Sequence, residues 1–459
     1  MAGIGFELRK VIGRGHLGNV FQAALSGIMI VAGPWLMSIL SITLISQIMG
    51  REMGAHGTLF ISIIVYSYAF SISLFGGFHY IFTRLMADKL FDNLKGDAAS
   101  ILFLFLIFLI PTAGALSAPF IFQLKPEIDN SALFRVSSLI LFLSTNCIWL
   151  LMIFISLLRQ YMKILFIYLG GMAASVIFVF LFHASLGISG AMFGFALGHV
   201  LIVLLLSILS FSQYKPSRPF SFLKEVPPYF RRYFLLFLTG LFYSCGIWID
   251  KIVYWFIRGS VVPGTPFALY EMYDISAYFA NLSMIPGLVY FVIISETSFY
   301  ISLKKFLISL NKSIYKVIQR NKYQMISTLS ENIRNQSFFQ AVFTGILIFT
   351  VPFLFSHQSH GPGFITILQT TLGSVYFHLL FLTLLNFLFY LELYAHACFA
   401  CAVFFFGNMG ITLLDILPGI SVMPGVGYGI SAFASACISG FFLYKNAKIF
   451  DRKVLTRTA

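Results

Sequence analysis

Residues 21–49 read FQAALSGIMIVAGPWLMSILSITLISQIM, with no charged side chain anywhere in the stretch. As a helix it would run about 43 Å at 1.5 Å per residue, longer than the roughly 30 Å hydrocarbon layer of a bilayer. It is too long for the apolar core of a secretory signal and carries no A-x-A cleavage site. It reads as a tilted, kinked or extended transmembrane helix. The rest of the chain agrees: of 459 residues, 59% are hydrophobic and 10% charged, whereas soluble domains carry about 25% charged residues. Twelve such helices would take about 250 residues and leave only connections and termini. That excludes a sizeable soluble domain and an ordinary water-soluble enzyme.

Apolar runs between charged or turn-rich segments give twelve spans. They fall at about 20–49, 57–83, 99–123, 134–158, 162–184 and 189–212, then 233–257, 268–295, 338–356, 373–392, 395–414 and 426–444. A short piece from Phe364 to Leu372 is expected to lie in the membrane interface. With the N-terminus inside, the cytoplasmic segments hold 25 of the 30 Lys and Arg, and the outer loops hold only Arg51, Lys125, Arg135 and Arg258. Miscounting one span would invert every later loop and destroy that asymmetry, so the positive-inside rule supports the count. The net charge of +14 then decorates the face next to anionic lipid and gives no reason to invoke nucleic acid.

The expected organisation is an all-α polytopic membrane protein. Residues 1–19 form an interfacial cytoplasmic segment, with Ile4, Leu8, Val11 and Ile12 at helical spacing beside Arg9 and Lys10. Residues 20–212 form one six-helix half, 213–232 a Pro-rich basic linker, 233–444 a second half, and 445–459 a basic cytoplasmic tail. A weak repeat relates the halves. Gly27, Gly33 and Trp35 match Gly240, Gly246 and Trp248, and SYAFSISLFGGFHYIF (67–82) aligns with AYFANLSMIPGLVYFV (277–292) at nearly the same offset. Two six-helix halves in series share one membrane orientation and favour a transporter with a path between them. The pairs Gly33–Pro34 and Pro286–Gly287 are candidate helix hinges. The basic segment 296–337, with Lys304, Lys305, Lys312 and Lys316, reads as an amphipathic helix pair that lies on lipid or docks a partner.

Charge inside a span is costly and marks function by default. Asp250 and Lys251 stand in span seven, about 26 Å along its helix from Tyr233 and so in the outer part of the bilayer. Neighbouring helix residues point about 100° apart, so these two are not expected to pair with each other. Glu271 or Asp274, three apart on one face at the start of span eight, are the expected partners. With Tyr278 from the aromatic-rich paired spans, these residues are candidates for a transport path. Tyrosine faces suit sugar rings, through stacking and hydroxyl hydrogen bonds. His79, His199, His378 and His396 share no close spacing, so no metal site is expected. Cys398 and Cys401 read as small apolar residues of a span, because no basic neighbour favours a thiolate. There is no phosphate-binding G-x-x-x-x-G-K-[ST], no G-x-S-x-G and no H-E-x-x-H, so no cofactor and no intrinsic ATPase is expected.

MAGIGFELRK at 1–10, SGIMIVAGPWLMSIL at 26–40, GIWIDKIVYWF at 246–256 and YDISAYFANLSMIPGLVYFVIISETSFY at 273–300 resemble the PelG family. Its members are inner-membrane transporters of the Pel exopolysaccharide system. The resemblance runs over essentially the whole chain. It implies the MOP flippase superfamily, a location in the bacterial inner membrane, and a cationic, acetylated aminosugar polymer as cargo, made by a cytoplasmic glycosyltransferase. It also implies PelD-, PelE- and PelF-like partners, the first of them a cyclic di-GMP sensor. The residues by themselves reach only a two-half transporter without its own ATPase. They leave open a MATE-like ion-coupled exporter, a lipid-linked oligosaccharide flippase, a scaffold that recruits a synthase, or a membrane acyltransferase using a span histidine.

Overall fold

A computed structural model describes residues 17–53, 56–125, 127–217, 219–355 and 362–451. The interfacial helix expected in residues 1–19 falls almost wholly outside them, as does the end of the basic tail. The helices are α1 (Leu17–Met53), α2 (His56–Phe91), α3 (Lys95–Phe122), α4 (Ser131–Leu157), α5 (Tyr161–Gln213), α6 (Val226–Arg232) and α7 (Phe234–Ile257). After a two-stranded hairpin come α8 (Glu271–Leu282), α9 (Ile285–Tyr290), a π turn (Phe291–Ser295), α10 (Glu296–Lys312), α11 (Tyr315–Leu354), α12 (Pro362–Tyr390), α13 (Tyr394–Leu413) and α14 (Val426–Lys448).

Ten helical stretches among the described residues are long and apolar enough to cross a membrane, with α8–α10 taken as one stretch, and α1 adds a shorter apolar section, Ala32–Ile48. One of the ten, α5, is 53 residues long, which at 1.5 Å per residue is about 80 Å and more than twice the hydrocarbon thickness. It is two spans joined at Gly187, whose φ of 57° and ψ of −142° break the helix. A side chain rarely adopts that backbone, so glycine there separates spans five and six. The interfacial segment expected at Phe364–Leu372 is instead the start of α12. Pro362 and Gly363 suggest a turn, yet proline in a first helical turn lacks only an N–H that would be unpaired anyway.

Two compact units organise the chain. One comprises residues 32–248 and 258–269, the other residues 1–31, 249–257 and 270–459, so α7 contributes to both. In the first unit the core is aliphatic and aromatic: Phe60, Phe82, Phe134, Phe154 and Phe195 are fully buried. The hairpin pairs Ser260 with Leu269 and Val261 with Ala268. Tyr66 holds it by donating to the Ala268 carbonyl (2.9 Å) and accepting from the Ala268 N–H (3.2 Å).

Without a hydrophobic force between helices in lipid, close approach through small residues drives association. The crossing of α2 with α7 uses this. A Cβ on Gly76 would lie 2.1 Å from Ser244 Oγ, and one on Gly240 would lie 2.7 Å from the Gly76 carbonyl oxygen. Gly76→Leu should therefore force the helices apart and cost about 3 kcal/mol, the upper range for overpacking. A lowered midpoint of thermal unfolding in detergent, with Gly170→Leu as a control at a site with nothing within 4 Å, measures it.

Candidate transport site

The second unit contains a buried charge cluster. Asp250 is 0% and Lys251 6% exposed. They pair directly, Lys251 Nζ lying 3.2 Å from Asp250 Oδ1 and 3.3 Å from Oδ2. That corrects the expectation that helix geometry keeps them apart. Their Cα–Cβ bonds do diverge, but the four-carbon lysine stem is long enough to fold back onto its neighbour. Tyr273 donates its hydroxyl to Asp250 Oδ2. The Lys251 ammonium also lies over two rings, 4.7 Å from the centroid of Tyr428 and 5.5 Å from that of Tyr273. Such contacts add about 2 kcal/mol each when desolvated. Asp250 is thus neutralised by a cation and a phenol, as a buried carboxylate requires.

Asp274 has a different partner: Trp255 Nε1–H donates to its two oxygens at 2.9 and 3.0 Å. Trp255 follows Lys251 by four residues, about one turn, and so shares its helix face. Tyr254 packs edge-on against Tyr273, with ring centroids 5.5 Å apart, and donates to the Val422 carbonyl at 3.0 Å. Asp415 accepts from the Val422 N–H at 2.8 Å, fixing the loop between α13 and α14. His378, buried, meets Tyr428 edge-on at 5.3 Å. The resulting site holds carboxylates, an ammonium, an indole N–H and several phenols, with the rings of Tyr254, Trp255, Tyr273 and Tyr428 all buried; these are residue types that bind hydroxyl and amine groups where they face a ligand.

Glu271 stands exposed in the first turn of α8 and does not join the cluster. Tyr278 is half-buried against Phe279. Gly33 and Pro34 lie inside the continuous helix α1, whereas Pro286 and Gly287 open α9 immediately after the break at Ser283–Met284. Lys304, Lys305, Lys312 and Lys316 are exposed around the α10–α11 turn.

The sequence reading missed a second feature of this unit. Asn332, Gln336, Gln340 and Thr344 recur every four residues on α11 and are all buried. Their amides reach the broken stretch α8–α9–π turn. Asn332 Nδ2 donates to the Ser295 carbonyl (3.0 Å), Gln336 Nε2 to the Gly287 carbonyl (3.4 Å) and Thr383 Oγ1 (2.8 Å), and Gln340 Nε2 to the Ser283 carbonyl (2.9 Å). These carbonyls sit where regular helix is interrupted, and lipid offers no water to bond them. Gly287 lets the amide approach, since a Cβ there would lie 2.4 Å from Gln340 Oε1.

The first unit carries its own polar network. His199 Nδ1–H donates to the Phe195 carbonyl at 2.9 Å, so Nε2 accepts from the Tyr68 hydroxyl at 2.8 Å. Ser38 joins Tyr68 (3.3 Å) and Tyr168 (3.0 Å). Every polar atom of the imidazole is used, which is how a buried histidine is held between helices.

Compared with known families, residues 1–454 match the one described as "PelG: Putative exopolysaccharide Exporter (EPS-E)". Among solved structures, an inward-facing multidrug resistance MATE transporter of the MOP superfamily aligns with a TM-score of 0.61 and 13% identity, covering 98% of this chain and 99% of that one. An outward-facing MATE transporter gives 0.57 and 13%, covering 94% and 96%. A MOP superfamily transporter from Pyrococcus furiosus, described as having a binding pocket of reverse polarity, gives 0.57 and 13%, covering 93% and 95%. At such identity these likenesses show the fold alone. No curated protein sequence matches.

Proposed function

We infer the function from one premise, that the chain belongs to the PelG family of exopolysaccharide exporters: it exports a growing Pel-type aminosugar polysaccharide across the bacterial inner membrane. The observation that carries this reading is the family match over residues 1–454 on a multi-pass transporter fold. The chain is a transporter, not an enzyme, and the fold is that of the MOP superfamily. The finer steps are proposals. Both termini are cytoplasmic, as the distribution of Lys and Arg favours. The two halves, 20–212 and 233–444, rock to open the path, and Pro34 and Pro286 are where their helices bend.

Asp250, Lys251, Asp274 and Tyr278 form part of the wall that the polymer passes, with Glu271 at its exposed end. In the described conformation Asp250 and Lys251 satisfy one another; a hexosamine ammonium would take the place of Lys251 on Asp250, and sugar hydroxyls would accept hydrogen bonds from the displaced Lys251 ammonium. Polymer is supplied by a cytoplasmic glycosyltransferase of the PelF type, with PelD- and PelE-like proteins completing the assembly. A MATE-like export of small molecules is the second reading, favoured by the fold shared with multidrug transporters.

Reconstitution separates the two. With the chain in liposomes, the partner glycosyltransferase outside and a radiolabelled UDP-sugar supplied, the expected result is polymer inside the vesicles, protected from an added glycoside hydrolase. Polymer that is made but fully digested, from vesicles that accumulate a cationic dye against a proton gradient, would favour the MATE-like reading.

A further inference from the structure

The α10–α11 hairpin has an outer surface that the transport reading does not use. Between Glu296 and Glu331 the sequence contains Lys304, Lys305, Lys312, Lys316, Arg320 and Lys322 and no acidic residue. Lys322 is balanced by Asp451, 2.9 Å away. The hairpin is a built element: Leu303, Phe306 and Ser309 of α10 and Asn321, Met325 and Leu329 of α11 are all buried, and Lys305 donates to Gln324 across it at 3.3 Å. Its outer side interleaves the cations with exposed apolar groups: Ile308 at 51%, Ile314 at 71%, Tyr315 at 72% and Tyr323 at 68%.

Lipid cannot cover that surface. Glu331 and Arg334, both exposed, mark where α11 leaves the apolar layer, whose lipid-facing side runs through Phe338, Val342, Ile346, Phe349 and Phe353. At 1.5 Å per residue Tyr315 lies about 28 Å beyond Arg334. Even a helix tilted by about 40° holds it some 22 Å out. The head-group layer is only about 7 Å deep on each side, and electrostatic attraction to it fades over about 8 Å. Among the described residues the chain touches this hairpin with Phe450, against Phe306, and Asp451, on Lys322, and leaves Ile308, Ile314, Tyr315 and Tyr323 exposed. Residues 452–459 include Arg452, Lys453 and Arg457 and no acid to complement the cations. An apolar patch ringed by one sign of charge and held in water marks a protein contact.

We propose that the tip of the α10–α11 hairpin is a docking site for an acidic, partly apolar protein surface, with Ile308, Ile314, Tyr315 and Tyr323 as its apolar centre and Lys304, Lys305, Lys312, Lys316 and Arg320 as its rim. This rests on the membrane-spanning fold alone and names the chemistry of the partner; it does not depend on which cargo is moved.

The full chain in nanodiscs is titrated with a helical peptide of Glu-rich and Leu-rich faces as probe, against poly-glutamate and a single-stranded RNA oligomer. The peptide should bind more tightly than either competitor. Lys304, Lys305, Lys312 and Lys316 changed together to Gln should weaken it about tenfold or more, and Ile308→Ser with Tyr315→Ser about threefold or more. A fluorescent amino acid at position 315 should escape quenching by spin-labelled lipid, with or without phosphatidylglycerol. All these side chains are exposed, so the variants should elute as the parent does. Poly-glutamate or RNA binding as tightly as the peptide would overturn the proposal, because charge alone would then suffice. Lipid quenching at 315 would overturn it too, by showing that the membrane covers the tip. Neither result bears on the liposome export test.

Discussion

Lys251→Met alone should destabilise the protein by about 3–5 kcal/mol, the cost of leaving a buried charge without its counterion. Asp250 would keep the Tyr273 hydroxyl but lose the ammonium 3.2 Å away, in a position with no exposed surface. Asp250→Asn combined with Lys251→Met should recover most of that loss, because a buried ion pair replaced by neutral groups of similar volume is often neutral or even favourable. Thermal unfolding in detergent gives the order: wild type close to the double variant, and both well above Lys251→Met. Export should follow a different order. If the pair lines the path, the double variant folds, inserts and fails to export, since neither the anion nor the cation is left to exchange partners with a charged polymer. Wild-type export by the stable double variant would reduce the pair to a structural role and remove Asp250 and Lys251 from the path.

What could be read from the chain depended on how local each physical demand is. A bilayer requires about 20 apolar residues in every crossing helix, so the spans stood out one by one. The apolar runs place the end of span five at about 184 and the start of span six at about 189, and the helix breaks between them at Gly187. Asp250 and Lys251 were conspicuous because charge is rare in a span, but their pairing was not legible: it depends on the reach of a lysine stem, not on helix periodicity. Tyr428 and His378 lie far along the chain from Lys251, and nothing near them in sequence announces that α12 and α14 bring them to it. The amide ladder was different. Asn332, Gln336, Gln340 and Thr344 carry a visible four-residue period, yet Glu331 and Arg334 end the apolar run beside them. The stripe was therefore divided between a polar loop and a span, and its continuity was lost.

That stripe supports the second large expectation. Gln340→Met keeps the volume but withdraws the donor that the Ser283 carbonyl uses. An unpaired buried carbonyl costs about 1–3 kcal/mol. Because Gln340 Oε1 itself has no hydrogen-bond partner among the described residues, removing it returns part of that cost and places Gln340→Met near the lower end. Gln340→Glu should be worse: a carboxylate only accepts hydrogen bonds, so when ionised it would face the Ser283 carbonyl oxygen as acceptor against acceptor. The predicted stability order is wild type, then Met, then Glu. Changing Asn332, Gln336 and Gln340 together to Leu removes all three donors from the interrupted helix at once. Hydrogen exchange of peptides covering 283–300 should then accelerate strongly, while peptides from α4 keep their protection, since local opening follows the bonds lost. Export should fall with it, because Pro286 and Gly287 would no longer bend between two held ends. Unchanged exchange across 283–300 in the triple variant would mean that the carbonyls at Ser283, Gly287 and Ser295 are satisfied without α11, and the ladder would be packing rather than a splint.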